Sequence, residues 1–96
     1  MNTSDTMGTP MPASAVKVAY TGTAGTTAAL PSGTRTVRVV STTDCFIEIG
    51  TAPTAVADTG LYLVAGVPEY FGCPASGKVS AIQVSAGGTI YATPFA

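Results

Sequence analysis

Reactive side chains are few in this 96-residue chain, and they are poorly assorted for catalysis. There are five carboxylates (Asp5, Asp44, Glu48, Asp58, Glu69), four basic residues (Lys17, Arg35, Arg38, Lys78), two cysteines and four tyrosines, and no histidine or tryptophan. A carboxylate pair works on a glycoside only when its members face each other about 5–10 Å apart across a cleft. Asp5 falls in an extended arm, Asp44 and Asp58 in loops, and Glu48 has Arg38 as its expected partner, which leaves Glu69 unassigned. Cys45 and Cys73 have no histidine to draw off a proton, so a nucleophilic or redox role lacks its base. Two cysteines without histidine also argue against a structural metal site, and no run of acids has calcium-loop spacing. The expectation is a protein without enzymatic activity, cofactor or metal.

One near-match to a nucleotide motif needs weighing. Gly72-Cys73-Pro74-Ala75-Ser76-Gly77-Lys78 has the spacing that opens a phosphate loop, but Val79 stands where a magnesium-holding Ser or Thr belongs. Such a loop must also begin a helix, so that backbone amides and helix dipole meet the phosphate. The residues after Lys78 alternate like a strand, so the segment reads as a Pro-Ser-Gly turn with a solvated lysine. The glycine- and threonine-rich residues 21–27 lack dinucleotide spacing and read as a loop.

Composition narrows the partners. Only 9% of residues are charged and the formal net charge is −1, with a pI near 4.9. Four scattered basic residues make no stripe along which phosphates are tracked, so nucleic acid is not an expected partner. No apolar stretch approaches the roughly 20 residues that cross a bilayer, so no membrane partner is expected. The first residues carry neither a basic nor an apolar signal region, so synthesis and folding in a cytoplasm are expected. There the cysteines are free thiols acting as small hydrophobes, with a Cys45–Cys73 disulfide as the alternative in an exported particle. A hydrophobic fraction of 46% and a mean hydropathy of +0.40 are high for so small a domain. Apolar surface left on a monomer marks an interface, and a chain this short commonly gains stability by assembly.

The elements that must position these residues are strands. Residues 1–15, rich in Thr, Ser, Pro and Met, read as an extended N-terminal arm, and Pro10 and Pro12 exclude a regular helix. Residues 16–96 form one domain of seven to eight short antiparallel strands: 16–20, a weak 28–30, 34–41, 45–50, 61–64, 69–71, 79–85 and 89–93. Residues 52–59 are loop. The class is all-β, a compact β-sandwich or jelly-roll-like barrel.

Register is predicted in two places. With Thr42-Thr43-Asp44 as a three-residue hairpin loop, Val39 faces Ile47, Val37 faces Ile49 and Arg38 faces Glu48; Arg38, Val40, Phe46 and Glu48 share the outer face. With Ala86-Gly87-Gly88 as the second loop, Val84 faces Ile90, Ile82 faces Ala92 and Gln83 faces Tyr91, and Gly88 takes the left-handed position.

Aromatic residues are the candidate binding groups. Tyr62 and the Tyr70-Phe71 pair flank a short turn, and Tyr91 lies on an outer face; a domain of this size does not hide every aromatic, so Phe46 or Phe71 is also expected at an interface. Met7 and Met11 of the arm complete the set of expected partner-binding residues.

Residues 34–96 resemble small virion structural proteins of tailed bacteriophages. The resemblance is carried by Val-Arg-Val-Val-Ser-Thr-Thr-Asp-Cys-Phe-Ile-Glu-Ile-Gly (37–50), Ala-Gly-Val-Pro-Glu-Tyr-Phe (65–71), Gly-Lys-Val-Ser-Ala-Ile-Gln (77–83) and Gly-Thr-Ile-Tyr-Ala-Thr-Pro (88–94). It implies a capsid decoration or cement protein: a β-sandwich homo-oligomer, typically a trimer, bound to the major capsid protein on the virion surface. No catalytic residues come with it. The rival expectation is a receptor- or glycan-binding module of a tail or fibre, with Tyr62, Tyr70 and Tyr91 as sugar platforms.

Overall fold

Alternation of β-branched and polar residues gives this chain its architecture, because such segments fit a pleated surface buried on one face. The computed structural model describes residues 8–96. Eight strands follow a single 3-10 turn at Pro12–Ser14: β1 Val16–Tyr20, β2 Gly25–Thr26, β3 Thr36–Ser41, β4 Cys45–Gly50, β5 Leu61–Leu63, β6 Glu69–Gly72, β7 Lys78–Gln83 and β8 Gly88–Phe95. They make two four-stranded antiparallel sheets, ordered β1-β8-β3-β6 and β2-β7-β4-β5. First pairs with last, second with seventh, third with sixth and fourth with fifth. That is a long hairpin rolled up on itself, the eight-stranded jelly roll.

The core lies between the sheets. Val37, Val39, Ile90, Ala92 and Tyr20 come from one sheet, and Cys45, Ile47, Leu63, Val79 and Ala81 from the other. Leu30 joins them from the connection after β2. Outside, the loop of residues 51–60 folds back over β7. It buries Ala55, whose N–H donates to Ser80 Oγ at 2.9 Å.

Odd-numbered strands run toward one end of the sandwich, here the distal end, where residues 21–24, 42–44, 64–68 and 84–87 connect them to the strands returning. Both described chain ends lie at the other, proximal end. Pro10 bridges Phe95, Met11 N–H donates to Pro94 C=O, and Ala96 N–H donates to Thr9 C=O. The end of the arm thus runs along β8 of its own domain.

Both predicted hairpins are corrected. β3 and β4 lie in different sheets, and Arg38 sits opposite Thr93 and Tyr70 instead of Glu48. Val39 and Ile47 do share the core, but face each other across the sandwich, not side by side. β7 and β8 also belong to different sheets. Ile90 and Ala92 point inward as expected, whereas β7 buries Val79 and Ala81 and leaves Val84 exposed. Residues 28–30 form no strand; Gly25–Thr26 pairs with β7 instead. Gly88 does not adopt a positive φ, which among the described glycines belongs to Gly8, Gly60 and Gly66. What requires glycine at 88 is space: a Cβ there would lie 2.5 Å from Thr43 Oγ1 and 2.8 Å from the Tyr20 hydroxyl.

Candidate interaction surface

Three of the four distal connections are laced together by threonine. The Tyr20 hydroxyl lies 2.8 Å from the Thr43 carbonyl oxygen and 2.7 Å from Thr43 Oγ1. Thr43 Oγ1 donates to Ala86 C=O, and Thr89 N–H donates to Thr42 Oγ1. Gln83 N–H reaches Thr21 C=O at 3.0 Å. A buried phenol needs such partners. Burial raises the Tyr20 pKa, so its proton is retained.

Asp44 holds the neighbouring β5–β6 connection. Its carboxylate accepts from Ala65 N–H at 2.8 Å and from the Tyr62 hydroxyl at 2.7 Å. Those two bonds hold the carboxyl below its ordinary pKa, the backbone amide contributing most. Its bond to Asp44 raises the pKa of the Tyr62 phenol. Gly66, at φ +73°, donates its N–H to Ser41 C=O, and Val67 N–H closes the turn on Val64 C=O. A turn this tightly held presents Val64 and Val67 to solvent at 47% and 48% exposure. Leu61, Tyr62 and Tyr70 beside it are also exposed.

The predicted aromatic residues divide between faces. Phe46 and Tyr62 lie opposite each other on neighbouring β4 and β5, outside the second sheet, where their rings meet edge to face at 5.3 Å. Tyr70 lies on the outside of the first sheet and meets Phe95 at 5.7 Å. Tyr91 lies there too, between Lys17 and Val40 in register. Phe71, opposite Val37, packs against the core. Three tyrosines on two faces make no common platform. Met11 is half-buried beside β8; Met7 lies outside the described residues.

Among the described residues nothing gathers the titratable groups. Glu48 and Asp58 are exposed on separate elements, Glu69 is half-buried on β6, and Asp5 lies outside the described residues. Among the described residues no three His, Cys, Asp or Glu side chains stand close enough to hold a metal ion. Cys45 is buried at the distal end and Cys73 follows β6 at the proximal end, both free. Burial raises both thiol pKa values, away from the reactive thiolate. Gly72–Lys78 is a turn leading into β7, with Gly77 N–H donating to Pro74 C=O.

Leu61, Val64 and Val67 were missed as surface residues by the sequence reading. The signal was present: Val64-Ala65-Gly66-Val67 is a turn without one polar side chain, where turns ordinarily carry Asn, Asp or Ser.

Comparison with protein-family models, with curated proteins and with solved structures finds no match.

Proposed function

We propose that this chain is a non-enzymatic virion structural protein of a tailed bacteriophage, a capsid decoration or cement protein. It binds the major capsid protein as a homo-oligomer, with three copies favoured, and stabilises the expanded head. The observation that carries the reading is an almost uncharged jelly roll with apolar side chains exposed along one side and on a rigid turn. Exposed apolar area of this kind marks an interface, and the motifs of residues 37–94 supply the resemblance that points to the capsid.

The mechanism is additive contact. Each copy contributes a small apolar footprint, and an oligomer bridging several coat subunits binds more tightly than any single contact because its later contacts are intramolecular. Low charge suits such packing better than electrostatic steering does.

Immunogold electron microscopy of intact virions tests this. Label over the icosahedral head, together with earlier heat rupture of heads lacking the protein, is the expected result. Label confined to the tail tip or fibres would replace it with a receptor-binding role.

A further inference from the structure

The charges carried on the strands are ordered across both sheets, with Arg35 standing just before β3, its backbone bonded to Cys73 and Phe95. From one side to the other, Lys17 on β1 and Arg38 on β3 precede Glu69 on β6; Lys78 on β7 precedes Glu48 on β4. Asp44 lies on the acidic side as well, bonded to Tyr62 and Ala65. Exposed apolar groups are sorted likewise. Of the eight large exposed hydrophobic residues among those described, five (Leu61, Tyr62, Val64, Val67, Tyr70) lie on β5, β6 or the turn between them. The two sides also differ in closure. β1 and β2 approach each other, whereas Leu61, which register with buried Ile47 turns toward the core, is still 44% exposed. The core opens on the β5/β6 side.

We propose that the β5/β6 side of this sandwich is a self-association surface, occupied by the β1/β2 side of a second copy of the chain. Charge decides between the two ways of pairing copies. A two-fold contact would set the side that carries Asp44 and Glu69 against a second copy of that same side, while a head-to-tail contact sets it toward Lys17. Tyr91, beside Lys17 in register, gives the receiving side an apolar group. Head-to-tail contacts close into a ring or propagate as a filament. Glu69 lies opposite Val39, on the core-facing side of edge strand β6. An inward charge there opposes strand addition, so the contact is side-chain packing over the open seam. The inference shares with the capsid reading only the self-association of the chain.

Sedimentation of the purified full-length chain, from micromolar to hundred-micromolar concentration, is the test. The wild type is expected to form a closed oligomer. Val67→Asp should weaken association about tenfold or more, since it places a charge in the apolar contact. Lys17→Glu should weaken it about 3- to 10-fold at low salt, with the loss shrinking as salt rises. Val56→Asp, an equally exposed apolar residue in the β4–β5 loop, should change nothing. Circular dichroism confirms that each variant folds. A wild type that stays monomeric, a two-fold dimer indifferent to Lys17→Glu, or an oligomer that Val67→Asp leaves intact would overturn the proposal. A monomer that nevertheless decorates heads would sink it, and the oligomeric part of the capsid reading with it, while leaving the capsid location standing; an oligomer never found on heads would sink the capsid location alone.

Discussion

Gly88 shows how one atom's worth of space organises the distal end. Its missing Cβ admits Thr42 Oγ1, Thr43 Oγ1 and the Tyr20 hydroxyl to the same small volume. Gly88→Ala must push those hydroxyls out of their hydrogen bonds, and a loss of about 1–3 kcal/mol is expected in urea unfolding. The sequence marked this residue as special for the wrong reason, because glycine next to a strand suggests a turn conformation as readily as a tight contact. Asp44 was legible only as a loop acid, since its partners Tyr62 and Ala65 are about 20 residues away. Its lowered pKa has a sign: the anchoring of the β5–β6 turn is complete above the ordinary carboxylate range and is lost as pH falls through the lowered value. Protection of the Ala65 amide, its exchange rate relative to that of an unstructured amide at the same pH, should therefore fall on acidification through that range. In Asp44→Ala the protection should already be low at neutral pH and show no such acid step.

Strands are readable one at a time and pair by rules the chain does not print locally. Period-two alternation located seven of the eight strands and assigned the inward residues of β3 and β4, because burial of one face imposes that period on any strand. It could not choose partners. Val39 beside Ile47 and Val39 across the core from Ile47 satisfy the same apolar preference, and short loops made the hairpin look cheaper. What won was a roll-up that brings the apolar faces of both sheets together in one core. β2 was missed because two residues, Gly25 and Thr26, carry no period. The arm is a further case, since its backbone bonds to β8 have no side-chain signature. Deleting residues 1–15 removes the bonds from Met11 to Pro94 and from Ala96 to Thr9, a cost of about 1–3 kcal/mol. Thermal unfolding should show a lowered midpoint with the β spectrum intact, and occupancy of heads by the deleted protein should fall further than stability alone accounts for.

For the molecule as a whole, pairing first strand with last means that most stabilising contacts close long loops, and loop closure must precede the reward. Stopped-flow refolding should therefore occur in milliseconds to seconds or slower, without the microsecond phase of a protein built from local contacts. A different consequence follows from where the chain begins and finishes. Thr9 and Ala96 share a hydrogen bond, so the first described residues and the last form one locus at the proximal pole, opposite the threonine-laced connections. Topologically the segment from Thr9 to Ala96 is nearly a circle. A short peptide joining Ala96 to Thr9, with new ends opened at the exposed Ala57-Asp58 bond, would preserve every strand pairing, which is the condition under which circular permutants fold. A passenger domain fused directly before Thr9 or after Ala96 would leave the sandwich from the same spot.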